Sequence, residues 1–159
     1  MSRCFFGEHE NVVDPQRRIA LPKAWRSDDP GGGEFFLLPG RGKSLQLVPS
    51  ATFGKLLEKL QDVSFADQEA ARALATIGSL AQEICCDRQG RFAVTPKLLG
   101  HAGITDRALL LGSVTTVQIW APSIWQEQQM DSEDCLNVLQ AIQERPDDFV
   151  NIVRKATKN

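Results

Sequence analysis

Short apolar runs punctuated by polar turns, rather than long amphipathic stretches, mark the first fifty residues. Asn11-Val12-Val13 stops at Asp14, and Ile19-Ala20-Leu21 resumes after Arg18, the pattern of two short strands joined by a tight polar loop. Pro22 suits the first turn of a brief helix ending near Arg26, because the first N–H of a helix has no partner to lose. The run 35–38, the turn residues Pro39-Gly40-Arg41-Gly42 and the alternation Leu45-Gln46-Leu47 then predict a hairpin.

The same succession returns. Asp14-Pro15-Gln16-Arg17-Arg18-Ile19-Ala20-Leu21-Pro22-Lys23 recurs 73 residues later as Asp87-Arg88-Gln89-Gly90-Arg91-Phe92-Ala93-Val94-Thr95-Pro96-Lys97, with a one-residue slip at the proline. Both copies read Asp-x-Gln-x-Arg-apolar-Ala-apolar, then Pro-Lys. Phe36-Leu37-Leu38 aligns with Leu109-Leu110-Leu111 at the same offset, and Leu45-Gln46-Leu47-Val48-Pro49-Ser50 matches Val117-Gln118-Ile119-Trp120-Ala121-Pro122-Ser123. Three blocks in one order define two units, at 5–50 and 79–123.

Between them, 51–78 reads as a helical linker. Leu56, Leu57 and Leu60 form one apolar face, and Ala70, Leu74, Ile77 and Leu80 a second, with Asp67 as a cap. Ser50 and Ser123 each follow a strand and are expected as N-caps. The remainder, 124–159, reads as a helical tail in which Leu136, Leu139 and Ile142 mark one helix, Pro146 breaks it, and Phe149, Ile152 and Val153 mark another. A unit of about 45 residues is marginal alone. Packing the copies on each other solves this and predicts an α+β chain, an intrachain pseudo-two-fold barrel with helices outside.

The 159 residues carry 18 Lys and Arg against 20 Asp and Glu, a net charge of −2, which argues against coating nucleic acid or anionic membrane by bulk charge. Any nucleic-acid contact has to be local. Residues 1–49 hold seven basic and six acidic residues, whereas 122–159 hold four and seven, so the tail is the acidic part. No apolar run approaches the roughly 18 residues of a membrane span, and the N-terminus lacks a signal-peptide core, so the expected location is the cytoplasm. Cys4, Cys85, Cys86 and Cys135 form no C-x-x-C and are expected as reduced thiols.

Motifs for catalysis are weak. Gly42-Lys43-Ser44 imitates the end of a phosphate-binding loop, but Leu37 stands where the first glycine belongs and a strand follows instead of a helix. His9 and His101 lie outside any zinc spacing, and Glu8-His9-Glu10 reads as a solvated strand end. Cys85 and Cys86 lie in an apolar run where one alternates inward, and a buried thiol is inert. Trp120 and Trp125, flanking Ser123, are expected to pin a helix onto the barrel. No enzyme activity, catalytic residue, metal, cofactor or small-molecule substrate is expected.

The two D-x-x-x-R loops admit two readings. One is a turn held by an Asp–Arg salt bridge with no further role. The other gives each Arg a second role, in which its forked guanidinium, presented from a β-ribbon, pairs with guanine or clamps phosphate.

Taken together, Phe5-Phe6-Gly7, the twin loops with their Pro-Lys sequels, and the linker helices between two such units resemble the MraZ family of bacterial regulators, built from tandem SpoVT/AbrB-type units. The resemblance runs from about residue 5 to 125. It implies a swapped-hairpin barrel in each chain and a ring-shaped homo-oligomer. It also implies sequence-specific binding of double-stranded DNA, at short direct repeats upstream of its own operon in the division and cell wall gene cluster. The expected location becomes cytoplasmic and nucleoid-associated. Arg17, Arg18, Arg88 and Arg91 are the DNA-binding candidates, and Asp14, Asp87 and Gly90 the loop-orienting ones. The family places Gly just before the Arg, as Gly90 does; Arg17 departs from this, so a positive φ there costs energy, and the loop is either reshaped or gains a phosphate contact. The alternative function is a DNA-silent, ring-forming interaction protein of the same fold.

Overall fold

The computed structural model describes residues 3–26 and 34–156; residues 27–33 of the first predicted unit and 157–159 of the tail lie outside the described residues. The chain divides into a unit of residues Met1–Ile124 and one of Trp125–Asn159.

In the first unit, β1 (Glu8–Val12) leads through the first D-x-x-x-R loop to β2 (Arg18–Ala20), a 3-10 turn at Lys23–Trp25, and the hairpin of β3 (Phe35–Pro39) and β4 (Ser44–Pro49). The helices α1 (Ser50–Leu60) and α2 (Gln68–Leu80) follow. Then β5 (Gln82–Ile84), the second loop, β6 (Arg91–Ala93), α3 (Pro96–Ala102) and the hairpin of β7 (Arg107–Gly112) and β8 (Val117–Trp120) repeat the order, before α4 (Pro122–Gln128).

All pairings are antiparallel: a six-stranded sheet in the order β1-β7-β8-β4-β3-β5, and a two-stranded ribbon of β2 and β6. Exchanging the halves reads this order backwards. The first strand of each half pairs with the hairpin of the other, β1 with β7 and β5 with β3. Among the described residues the hydrogen-bonding does not close into a barrel, because β1 and β5 remain as edges.

Strand alternation explains the core. Phe35 and Leu37 on β3, Leu45 and Leu47 on β4, Val117 and Ile119 on β8 and Leu110 on β7 are buried, and register sets Leu37 against Leu47, Leu47 against Val117, and Leu45 and Leu110 against Ile119. The ribbon covers that face, with Ile19 opposite Phe92 and both buried. Each such side chain contributes about 1.5–3 kcal/mol by leaving water. Phe5, from the Phe5-Phe6-Gly7 run, is a core residue packed edge-on to Trp25 at 6.1 Å, while Phe6 is 66% exposed.

Several local expectations change. Ser50 is not an N-cap: α1 begins at Ser50 itself, with Pro49 at the cap position, its fixed φ already suited to the end of β4. Pro122 likewise opens α4, ahead of Ser123. Asp67 does cap α2, accepting from the Ala70 N–H at 3.0 Å. The helix after Pro22 is a single 3-10 turn, whereas α3, capped by Thr95, runs two residues past Gly100 and ends at Gly103 in the left-handed conformation (φ 63). Gly42-Lys43-Ser44 is the β3–β4 turn, with Gly42 at φ 62.

In the second unit, α5 (Ser132–Glu144) is capped by Asp131, and a 3-10 turn at Pro146–Asp148 leads into α6 (Phe149–Ala156). No helix among the described residues is long and apolar enough to cross a membrane.

Candidate functional site

The loops between β1 and β2 and between β5 and β6 are built alike. In the first, the Asp14 carboxylate accepts from the backbone N–H of Gln16 at 2.9 Å and of Arg18 at 2.8 Å. In the second, Asp87 accepts from Gln89 and Arg91, both at 2.9 Å. The backbone closes each turn: Asp14 N–H donates to Arg18 O and Arg17 N–H to Asp14 O, as Asp87 does to Arg91 and Gly90 to Asp87. Aspartate at this position satisfies loop donors that a strand-to-strand turn otherwise leaves bare.

Arg17 and Gly90 occupy equivalent places, with φ of 62° and 76°. The first loop is therefore not reshaped; Arg17 adopts the left-handed conformation that glycine adopts in the second. The loops are stitched across the ribbon by Leu21 N–H donating to Gly90 O at 2.8 Å and Val94 N–H to Arg17 O at 2.9 Å.

Arg18 and Arg91 open β2 and β6. With Ile19 and Phe92 turned to the core, alternation sets the arginines on the outer side, Arg18 opposite Ala93 and Arg91 opposite Ala20. The alanine repeated in both motifs leaves room for the guanidinium across from it. Each Arg bonds its own Asp through Nε, Arg18 to Asp14 at 2.7 Å and Arg91 to Asp87 at 3.0 Å. Each also approaches the other loop's carboxylate at 3.9 Å. The result is a ring of two cations and two anions, its side chains 23–35% exposed.

Both carboxylates are held below the usual carboxylate range, chiefly by the backbone N–H of Arg18 on Asp14 and of Arg91 on Asp87, with burial opposing. The ring is thus charge-balanced near neutral pH. Arg17 and Arg88 are exposed on the same loops, and neither has a side-chain partner among the described residues. The structure therefore brings together all seven residues singled out in the sequence, divided into an Asp-paired couple, Arg18 and Arg91, and a free couple, Arg17 and Arg88. Both readings of the loops fit this geometry, since the Asp–Arg bridges stand beside the exposed Arg17 and Arg88.

Other candidates lie elsewhere. His9 stands on β1 against Trp25, ring to ring at 5.1 Å. Cys85 is exposed, whereas Cys86 is packed against the core and its thiol is pushed up to about 11, by burial first and Glu34 second. A thiol so shifted is a poor nucleophile at neutral pH. Trp120 is buried, its Nε1–H donating to Gln118 at 2.9 Å. Arg26, which no sequence motif singles out, reaches the second loop: its Nε donates to Leu21 O at 2.8 Å, and a Cβ placed on Gly90 would overlap its guanidinium. Its distance along the chain from Gly90 gives no signal of this contact.

Residues 79–145 match the family model described as "MraZ protein, putative antitoxin-like". The chain is 31% identical over 124 residues to a Thermomicrobium roseum protein named transcriptional regulator MraZ, covering 78% of this chain and 86% of that one. A relative of the same name from Clostridium tetani is 30% identical over 123 residues, covering 77% and 85%. One from Dehalococcoides mccartyi is 28% identical over 142 residues, covering 88% and 99%.

Proposed function

The chain belongs to the MraZ family of transcriptional regulators, and from that premise we propose that it binds double-stranded DNA sequence-specifically through the paired loops 14–18 and 87–91. The observation that carries this is the Asp-anchored pair Arg18 and Arg91 on one two-stranded ribbon, flanked by the exposed Arg17 and Arg88. A two-stranded ribbon fits the major groove. Arg18 and Arg91 are the base-reading residues, Arg17 and Arg88 the phosphate contacts, and Asp14, Asp87 and Gly90 orient the loops. Because Asp14 and Asp87 neutralise the reading arginines, attraction to the duplex falls to the unpaired pair, which accommodates a net charge of −2.

In this reading the exchange of β1 and β5 between the hairpins reflects two tandem AbrB-like units, 5–50 and 79–123, in a swapped-hairpin arrangement joined by the linker 51–78, with 124–159 as a tail. The chain works as a ring-shaped homo-oligomer on short direct repeats upstream of its own operon, within the division and cell wall cluster, and so resides in the cytoplasm at the nucleoid. An open apolar groove of about 510 Å³ between α1 and α2, lined by Phe36, Phe53, Leu57, Leu74 and Ile77, supports self-association. Several loops engaging spaced repeats gain on the order of 10²- to 10⁴-fold by effective concentration.

The charge balance of the four-residue ring favours a second reading, a DNA-silent, ring-forming interaction protein of the same fold. Binding of the chain to its own upstream DNA and to a scrambled duplex, across a salt series, separates the two. The proposal expects preference for the upstream repeats; equal, weak binding to both duplexes supports the second reading.

A further inference from the structure

The two loops share a backbone but are covered differently. In loop one the left-handed residue is Arg17, which is exposed; in loop two it is Gly90, which is buried. What covers Gly90 is Arg26 from the other half of the repeat. Its Nε is tied to Leu21 O at 2.8 Å, and the N–H of the same Leu21 donates to Gly90 O at 2.8 Å, so one residue anchors both the cover and the covered.

Counted from the shared Pro-Lys, the counterpart of Arg26 in the second half is Gly100, which is exposed and has nothing within 4 Å of where a Cβ would stand. Loop two thus combines a glycine at the left-handed position with an arginine above it from the other half, whereas loop one has an arginine at the left-handed position and the repeat counterpart of the covering arginine is a glycine. A side chain at position 90 would have to push Arg26 off the Leu21 carbonyl, whereas Arg17 meets no such competitor among the described residues.

We propose that Arg26 is a positioning residue for loop two, fixing from the first half of the repeat the turn from which Arg91 is presented. Among the described residues loop one has no equivalent clamp, so the two loops are functionally unequal. Gly90 immediately precedes Arg91 and is bonded to Asp87, the residue that orients Arg91, so a guanidinium packed on Gly90 restricts the whole turn. The DNA-binding part of this inference rests on the function proposed above; the clamp itself does not.

The test combines amide hydrogen exchange with binding to the upstream duplex for Arg26→Gln, Arg91→Ala and the double variant of the full chain. Arg26→Gln is expected to speed exchange at Gly90 and Arg91 while leaving Arg17 and Arg18 unchanged. It is expected to weaken DNA binding about three- to tenfold with an unaltered salt slope, and to add nothing once Arg91 is already replaced, because a positioning residue is silent when the residue it positions is gone. A salt slope lower by about one marks a direct phosphate contact and overturns the proposal. Additive losses in the double variant, or unchanged exchange at Gly90, overturn it as well.

If Arg26→Gln does not fold, Gly90→Ala compared in the wild-type and the more conservative Arg26→Lys backgrounds carries the same test: the thermal shift caused by Gly90→Ala is expected to be smaller without the guanidinium, and equal shifts refute the clamp. Should the wild-type chain show no preference for upstream DNA while the exchange and thermal results hold, the clamp stands and the DNA-binding reading falls.

Discussion

Arg17 holds a backbone conformation that side chains rarely adopt, at a place where its counterpart is glycine. A left-handed φ costs a non-glycine residue about 1–2 kcal/mol, partly offset by the greater freedom glycine has when unfolded. Arg17→Gly is therefore expected to raise stability by up to about 1 kcal/mol in denaturant unfolding, while lowering the salt slope of DNA binding by about one. Lower stability would show that the Arg17 side chain supports the fold.

The aspartates are expected to act through pH and orientation. Their folded values lie below the ordinary 3.8, so their contribution is fully present above that value and is lost as pH falls through the lowered ones. Acid unfolding followed below about pH 4 should therefore be less steep in Asp87→Asn than in the wild type. In the proposed reading Asp87 orients its loop without touching DNA, so Asp87→Asn should weaken binding less than Arg91→Ala; the reverse order contradicts these roles.

At the level of elements, the ribbon of β2 and β6 joins the loops to the core. Ile19 sits at its centre with no exposed surface, opposite Phe92. Ile19→Ala is expected to cost about 2–5 kcal/mol in unfolding free energy, and both loops should loosen together because they share this ribbon. A loss below about 1 kcal/mol would show that the ribbon is not integral to the core.

This element is legible in the sequence because its motif occurs twice, and each copy disambiguates the other. The loop aspartates, arginines and Gly90 are legible for the same reason. Less legible are features that depend on contacts across the chain. Phe5 and Phe53 are buried by partners that no local period reveals, and the Ser50 cap is displaced by the neighbouring Pro49. Arg26 belongs to this group: it is one of many surface-type residues until the fold brings Gly90 beneath it.

On the scale of the whole molecule, α1 and α2 leave Leu56, Leu57 and Ile77 substantially exposed beside the apolar groove. Monomers rarely carry such a surface without a partner. The solution mass should correspond to a defined homo-oligomer well above 17.6 kDa. Leu57→Asp should lower that mass, leave the fold of each chain intact, and weaken binding to repeated sites by on the order of 10²-fold or more. A wild-type chain that stays monomeric at micromolar concentration contradicts the assembly.

The central claim is that Arg18 and Arg91 read DNA from the paired loops. It is tested most directly by the Arg18→Ala/Arg91→Ala double variant, with its oligomeric mass confirmed and its affinity measured on upstream and scrambled duplexes. The account predicts wild-type mass, an affinity loss corresponding to about 1–3 kcal/mol per contact multiplied across engaged loops, and no remaining preference for the upstream repeats. A double variant that assembles normally and still binds the upstream repeats as tightly and selectively as the wild type contradicts it.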